Sequence, residues 1–250
     1  EIKKIDKIPL RLDLVGFYDQ LFLNEVLPGS VVLVNINTIP VDDRSGMSSS
    51  TRSVIRKVFG NNLPPQLTPE ETAKTIFAVE NPPGHKYISG VVDQLGICLP
   101  GINKLKFDNS YWPYNVNTIA DPEICNWLQS ILYLKQTKPR PLDYDVFQGN
   151  ENYLKSVVQK QSELGEECWS AIQSMDTKKL GLIINEVHET QKKMIPGYES
   201  LYVKNEINVI RKKHLGVKLM GAGGFGYMMI VTNKPDKDFQ NVSIRREHKE

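Results

Sequence analysis

The chain has 250 residues, enough for one large domain or two modest ones, and 31 Lys and Arg against 29 Asp and Glu leave a net charge of +2. So weak a field indicates neither a nucleic-acid partner nor an anionic membrane, so an anionic ligand must be bound by a local site. Hydrophobic residues at 40% and charged residues at 24% are ordinary for a globular protein and exclude a disordered or fibrous chain.

Cysteine spacing and the length of the apolar stretches indicate the cellular compartment of the protein. Cys98, Cys125 and Cys168 are far apart and lack CxxC spacing, which favours a reducing compartment over a disulfide scaffold or a zinc site. The longest apolar stretches fall well short of the roughly 20 residues that cross a membrane. The polar start, Glu1–Lys4, is unlike a signal peptide and lacks an initiator Met. We therefore predict a cytoplasmic location, no membrane association, and a sequence that is not the whole gene product.

The first half of the chain mixes strand and helix patterns. Apolar and β-branched runs predict strands over residues 8–15 and 30–37, and shorter strand-like segments at 105–107, 111–116 and 130–134. A polar loop of small residues from 39 to 51 leads into a helix from 52 to 59. Thr68-Pro69-Glu70-Glu71 is a capping box with proline at the first helical position, so it predicts the start of another helix.

The second half is mostly helical. Its periodicity predicts helices over residues 152–174, 177–194 and 198–214, then short strands at 217–220 and 227–232 around a glycine-rich loop. The tail from residue 233 to residue 250 is charged, and we expect it to be mostly solvated.

The loop Gly46-Met47-Ser48-Ser49-Ser50-Thr51 is a candidate phosphate-binding loop. Small residues let backbone N–H groups approach a ligand, and the positive end of the following helix points to the same place. A serine hydroxyl there could also bind Mg²⁺. The same residues fit a serine-rich helix cap, which is the commoner explanation of such a motif in isolation.

The loop Gly221-Ala222-Gly223-Gly224-Phe225-Gly226 has four glycines in six residues. It is not a Walker A motif, because no Lys-Ser or Lys-Thr follows, and it is not a dinucleotide fingerprint, because the next segment reads as a strand. A tight hairpin with close backbone approach is the structural alternative. Four glycines exceed what a hairpin needs.

Three charged residues are further candidates. Asp93 lies in an apolar run, where a carboxylate is either a buried ion-pair partner or an acid or base beside a reacting hydroxyl. Arg11 and Asp19 bracket the first strand and its turn, and they fit either a surface ion pair or contacts to a substrate.

Taken in order, these segments resemble the GHMP kinases, the superfamily of galactokinase, homoserine kinase, mevalonate kinase and phosphomevalonate kinase. Pro9–Gly16 with Asp19 is similar to the first family motif, residues 39–50 resemble the second, and Lys218–Gly226 is close to the third, KxxGAGGGG. The segment containing Asp93-Gln94 is most similar to the sugar kinases acting on heptose phosphate, fucose or galactose.

The resemblance implies an α+β fold of two lobes, a mixed α/β N-terminal lobe over residues 1–130 and a ferredoxin-like C-terminal lobe over residues 131–250. It implies ATP-dependent phosphorylation of a hydroxyl on a small-molecule substrate, a sugar or sugar phosphate, with ATP and Mg²⁺ as cofactors and a homodimer as a candidate assembly. The alternatives are a mevalonate-pathway kinase and a GHMP-fold regulator that binds ligand without catalysis.

The resemblance also implies roles for individual residues. Asp93 would orient or deprotonate the attacking hydroxyl, paired with Arg11, and Asp19 would bind sugar hydroxyls. The ATP phosphates would be surrounded by Gly46, Ser48, Ser49 and Ser50, and Ser50 would also bind Mg²⁺. In the glycine-rich loop, Gly221, Gly223 and Gly224 would lie beside the phosphates, and Gly221 and Ala222 would lie beside the substrate.

The chain departs from the family pattern at two junctions. Phe17 follows Gly16 where the first motif usually has a second glycine, and Asn37 is joined to Thr38 where the family has several strands and a helix. No Lys or Arg beside Ser50 supplies an obvious phosphate clamp. We therefore expect chain segments to be missing from the sequence at Gly16–Phe17 and Asn37–Thr38.

Overall fold

A computed structural model describes residues 7–16, 29–41, 46–84, 88–108, 110–141, 144 and 155–247. Within these residues the chain forms seven helices and two four-stranded sheets. The mixed α/β architecture with antiparallel sheets confirms the predicted fold class.

The first sheet carries the start of the candidate site. Its strands pair antiparallel in the order β1 (Leu10–Val15), β2 (Gly29–Ile36), β3 (Ile102–Phe107) and β4 (Asn115–Ile119). Both β1 and β2 are buried along their whole length. Alternate residues of β2 belong to two different hydrophobic clusters, because packed elements cover both faces of the sheet. This explains why the two predicted strands are so rich in apolar residues.

Four helices belong to the first half of the chain: α1 (Ser49–Phe59), α2 (Pro69–Glu80), α3 (Val92–Cys98) and α4 (Pro122–Ile131). The capping box is confirmed, since Thr68 Oγ1 accepts from Glu71 N at 3.2 Å and Thr68 N donates to Glu71 Oε2 at 2.8 Å. The first helix begins at Ser49, inside the predicted loop. Helix α4 was not predicted, although Asp121 caps its first N–H groups.

The second half of the chain follows the predicted order. Helices α5 (Lys155–Gln173), α6 (Thr177–Met194) and α7 (Leu201–Arg211) precede β6 (Gly216–Leu219) and β7 (Tyr227–Val231). These strands join β5 (Leu132–Gln136) and β8 (Gln240–Asn241) in an antiparallel sheet of order β6-β7-β5-β8.

The strands before and after residue 130 form separate sheets, but the hydrophobic core is not divided at that residue. Strands β1 to β4 form one sheet and β5 to β8 the other, while each hydrophobic cluster contains residues from both sides of residue 130. Helix α5 packs on β2, and α6 packs on β6. The division into lobes at residue 130 therefore stays a prediction.

Part of the charged tail is buried, contrary to expectation. Ile244 and Arg245 are 3% and 2% exposed, and Ile244 bridges to Ile36 at the end of β2. Arg245 NH2 donates to the carbonyl of Cys98 at 2.8 Å, and its Nε donates to Asn35 Oδ1 at 2.5 Å. The guanidinium thus supplies a donor to the carbonyl of Cys98, the last residue of α3, where helix geometry leaves carbonyl groups without intrahelical donors.

Some predictions concern residues that the structure does not describe. Asp19 and Phe17 lie outside the described residues, as does the turn that follows β1. At the other junction, Asn37 N donates to Ser243 O at 2.8 Å, and the expectation of missing segments stays a prediction. None of the helices among the described residues combines the length and hydropathy needed to span a bilayer.

Candidate active site

One guanidinium connects the first strand, the phosphate loop and α3. Arg11, on β1, is 6% exposed. Its Nε donates to Ser48 Oγ at 3.0 Å, its NH1 donates to Asp13 Oδ1 at 2.5 Å, and its NH2 donates to Asp93 Oδ1. The planar fork of arginine makes these three contacts from three separate nitrogen atoms, whereas lysine has only one. The predicted Arg11–Asp93 pair is therefore present in the structure.

Asp93 and its neighbour point in different directions from α3. The Asp93 side chain is 31% exposed, whereas Gln94 is buried. In the described part of the chain, Asp93 Oδ2 has no hydrogen bond, since the Arg11 contact uses Oδ1. Asp93 lies in the first turn of α3, where the helix dipole favours a carboxylate. The carboxylate is thus held by one oxygen and presents the other outward.

The candidate phosphate-binding loop does not use Ser48 as a side-chain cap for the helix that follows. Ser48 occupies the N-cap position of α1 in a left-handed conformation (φ 60°), and its side chain does not cap the helix. Its hydroxyl instead accepts from Arg11. Helix geometry leaves the first-turn N–H groups without intrahelical acceptors, and no acidic residue lies in that turn. Ser50, in the same turn, is exposed.

The two glycine-containing loops touch through their backbones. A Cβ atom on Gly46 would lie 2.6 Å from the carbonyl oxygen of Met220, and one on Gly221 would lie 2.6 Å from the carbonyl oxygen of Gly46. Both glycines also have positive φ, at 83° and 57°. Only glycine allows this approach, so the structure brings together two motifs that lie 175 residues apart (221 minus 46).

Most N–H groups of the glycine-rich loop are already engaged within the protein. Gly221 N donates to Asp13 Oδ1 at 3.1 Å, Gly223 N to Met220 O at 3.3 Å, and Gly224 N to Tyr198 O at 2.7 Å. The N–H of Ala222 has no acceptor among the described residues. We therefore expect the loop to contribute its shape and one free N–H to a ligand, rather than a cradle of several.

Two buried charged residues, Asp13 and Lys218, lie inside the first and third motifs, but no role was predicted for them. Both are fully buried, and Lys218 Nζ lies 2.9 Å from Asp13 Oδ2. Burial alone would raise the pKa of the Asp13 carboxyl, but the charges of Lys218 and Arg11 hold it below its ordinary value. The available signal was a charged residue in the middle of each apolar strand, in Leu-Asp-Leu and in Val-Lys-Leu.

Glu80, the last residue of α2, was likewise not predicted to belong to the site. It accepts from Thr51 Oγ1 at 2.9 Å and from Gln94 Nε2. Burial is the main cause that raises the pKa of Glu80 to about 7; the Thr51 hydrogen bond opposes the shift, and the charge of Asp93 adds to it. A carboxylate at a helix C-terminus is disfavoured by the dipole, which is the signal that the sequence offered.

Arg140 is a fourth residue to which the sequence assigned no role. Its Nε donates to the carbonyl of Gly223 at 2.7 Å, and its NH2 donates to the carbonyl of Met220 at 3.1 Å. The same NH2 lies 2.9 Å from where a Cβ on Gly46 would be. Arg140 therefore places a positive charge where the two loops meet. Its loop position gave no sequence signal of this role.

The site fits Mg²⁺ only if a ligand supplies further oxygen atoms. The described residues contain no group of three or more His, Cys, Asp or Glu side chains that could hold a metal. Glu80 and Asp93 are close enough to repel each other, and Gln94 Oε1 is buried without a hydrogen-bond partner in the described chain. Carboxylate oxygens completed by phosphate and water oxygens are the usual environment of Mg²⁺.

Comparison with known proteins finds similarity in fold but not in sequence. No family model matches the chain, and no curated protein matches it by sequence. Solved structures do match. A mevalonate kinase from L. major, in complex with R-mevalonate, is 14% identical with a TM-score of 0.63 and covers 97% of this chain and 96% of its own.

Two sugar kinases match over similar lengths. A D-glycero-D-manno-heptose 1-phosphate kinase from Bacteriodes thetaiotaomicron is 15% identical, with a TM-score of 0.60 and coverage of 96% of both chains. The Lactococcus lactis galactokinase, complexed with galactose, is also 15% identical, with a TM-score of 0.60 and coverage of 93% of this chain and 87% of its own. The chain therefore has the fold of the GHMP kinases.

Proposed function

We propose that the protein is an ATP-dependent kinase that transfers a phosphoryl group to a hydroxyl of a sugar or sugar phosphate. The observation that carries this proposal is the guanidinium of Arg11, which binds the candidate catalytic carboxylate, Asp93, and the phosphate loop, through Ser48. Because one side chain contacts both the carboxylate and the anion-binding loop, the acceptor hydroxyl and the phosphates would lie next to each other. Phosphoryl transfer depends mainly on such positioning and on charge stabilisation.

The free oxygen of Asp93 is suited to the acceptor hydroxyl. In this proposal Asp93 Oδ2 accepts a hydrogen bond from that hydroxyl and orients it, or takes its proton as the new P–O bond forms and the bond to ADP breaks. The first turn of α1 would bind the ATP phosphates through its N–H groups and the hydroxyls of Ser49 and Ser50. Arg140 would add a positive charge where the loops meet.

Mg²⁺, when bound with ATP, would neutralise negative charge on the phosphates. Glu80 would hold it together with Ser50 in the first turn of α1, the turn whose Thr51 hydroxyl donates to Glu80. The repulsion between Glu80 and Asp93 is what a divalent cation would relieve.

Replacing Glu80 tests this arrangement through stability as well as activity. The folded-state pKa of about 7 lies above the ordinary 4.5, so folded stability falls as pH rises from 4.5 through 7, and ionised Glu80 costs about 3 kcal/mol at pH 8. We expect Glu80→Gln to raise the free energy of unfolding by about 3 kcal/mol at pH 8, with little change at pH 4.5, while weakening Mg²⁺-dependent ATP binding. Urea denaturation and calorimetry measure the two effects.

Glu70→Gln is the matched control, because Glu70 is an exposed residue of the same helix. It should alter neither the pH dependence of stability nor ATP binding. An identical pH dependence in wild type and Glu80→Gln would contradict the assignment.

Mevalonate is a second candidate substrate, because a mevalonate kinase solved with R-mevalonate matches over nearly the whole chain. The Asp93-Gln94 pair favours the sugar branches. An ADP-release assay with heptose phosphates, fucose, galactose and mevalonate separates these candidates. Turnover on one of the sugars supports the proposal, and turnover on mevalonate alone identifies mevalonate as the substrate. Ligand binding without turnover on any of the four indicates a non-catalytic regulator.

A further inference from the structure

A buried ion pair lies next to Arg11, away from the reacting groups of the proposed reaction. Asp13 on β1 and Lys218 on β6 are both 0% exposed. We propose that this Asp13–Lys218 pair is a positioning pair, which holds Arg11 against Asp93 and aligns the glycine-rich loop with it. The proposal rests on the proposed kinase function.

The hydrogen bonds of Asp13 lead to both parts of the site. Its Oδ1 accepts from Arg11 NH1 at 2.5 Å and from Gly221 N at 3.1 Å, and its Oδ2 accepts from Lys218 Nζ at 2.9 Å. The same Arg11 donates to Asp93. One buried carboxylate therefore connects the backbone of the glycine-rich loop with the side chain that orients Asp93.

Lys218 fixes the backbone of β1 as well as the carboxylate. The pairing of β1 with β2 shifts register between Asp13 and Val15, and Lys218 Nζ donates to the Asp13 carbonyl oxygen at 2.8 Å. Irregularities of this kind redirect side chains and are common beside active sites. The ammonium thus holds Asp13 by two oxygens, so the direction in which Asp13 presents Oδ1 is determined by Lys218.

The charges explain why Lys218 would matter to Asp93. Arg11 lies between two carboxylates, Asp13 and Asp93, which compete for its guanidinium. Lys218 offsets the charge of Asp13, so Arg11 is left free to hold Asp93. A buried ion pair is often no more stabilising than an apolar pair of similar volume. Stability alone therefore does not account for this pair, whereas positioning does.

The test removes both charges of the pair together. In Asp13→Asn/Lys218→Met no buried charge of the pair is left unpaired, and the new amide oxygen can still accept from Gly221 N. We expect kcat to fall on the order of 10- to 100-fold, the range for a displacement of about 1 Å at a reacting group. The KM for ATP and the melting temperature should stay near the wild-type values.

A second background separates positioning from a merely structural role. Arg11 contacts Ser48, Asp13 and Asp93 from three separate nitrogen atoms. Lysine has a single, shorter-reaching nitrogen, so in Arg11→Lys the pair has little left to position. Adding Asp13→Asn/Lys218→Met to this background should change kcat by no more than about two-fold. The matched control is Lys104→Met/Glu166→Gln, an ion pair between β3 and α5 that shares no hydrogen bond with Arg11 or Asp13 in the described chain. It should leave kcat unchanged.

Two results would overturn the proposal: wild-type kcat in folded Asp13→Asn/Lys218→Met, or an undiminished loss in the Arg11→Lys background. If the double variant does not fold, Lys218→Met alone decides, because it keeps the Asp13 carboxylate and removes only the ammonium group that holds it. We expect kcat to fall there too, and an unchanged kcat would contradict the proposal.

Failure of the kinase function is recognised separately, as absence of turnover in wild type. In that case hydrogen exchange of the Arg11 Nε–H proton, measured by NMR, tests the pair. Wild type should protect this proton through Ser48, and Asp13→Asn/Lys218→Met should expose it. Equal exchange in both would overturn the positioning role.

Discussion

Asp93→Asn should lower kcat by 10²- to 10⁴-fold, the contribution typical of a positioned acid or base. The substitution is nearly isosteric, and the amide oxygen can still accept the hydrogen bond that Arg11 NH2 now donates to Asp93 Oδ1. The fold and ATP binding should therefore persist, while the negative charge that orients or deprotonates the acceptor hydroxyl is lost. ADP release measures kcat, and calorimetry measures ATP affinity.

Glu70→Gln, which removes an exposed carboxylate elsewhere in the first half of the chain, should retain wild-type kcat. The ratio between the two variants then reports the specific role of Asp93. A kcat in Asp93→Asn within two-fold of wild type, on the substrate that turns over, would remove Asp93 from the mechanism.

Gly223→Ala should be the most destabilising change in the glycine-rich loop. A Cβ there would lie 2.2 Å from the ring of Tyr198 and would also need φ of +72°. The ring cannot yield easily, because Tyr198 is 1% exposed and its hydroxyl is bonded to Gln191 at 2.5 Å and to the Leu219 carbonyl at 3.0 Å. Overpacking and backbone strain together should lower the free energy of unfolding by about 2–5 kcal/mol. Urea denaturation measures this loss.

Gly60→Ala provides a matched control for the strain alone. Gly60 has a similar φ of +82°, but a Cβ there would meet nothing within 4 Å. Its cost should be about 1–2 kcal/mol, with ATP affinity unchanged. Gly223→Ala should in addition weaken ATP binding, because the displaced loop no longer packs beside the phosphate loop. Wild-type ATP affinity in Gly223→Ala would contradict the place of this loop beside the phosphates.

Local signals predicted most of the secondary structure. The capping box at Thr68 is local chemistry between residues three apart, and it appears as predicted. The helix α4 was missed even though Asp121 and Pro122 form a clear helix start. A strand was predicted over residues 130–134, and the helix runs directly into β5 at residue 132 with no turn residue between them. Without turn-forming residues at the junction, the sequence does not indicate where the helix ends and the strand begins.

The charged C-terminal tail shows that composition alone does not predict which residues are buried. Asn233–Glu250 looks solvated because it is rich in charge, yet Arg245 is buried, where Cys98 and Asn35 supply acceptors. These partners lie more than 100 residues away, so no local pattern can reveal them. A buried charge needs polar or charged partners, and those of Arg245 are distant in the sequence.

By itself the sequence determined most of the order of the elements and both glycine-containing loops, because motif and spacing carry that information locally. The pairing of Arg11 with Asp93, which lie 82 residues apart, was implied only by the resemblance to the GHMP kinases. Only the tertiary structure decided that the two loops meet backbone to backbone at Gly46 and Gly221, and that Asp13, Lys218, Glu80 and Arg140 surround them. The physical reason is that burial and ion pairing join residues which are distant in the chain, whereas periodicity and capping act between residues a few positions apart.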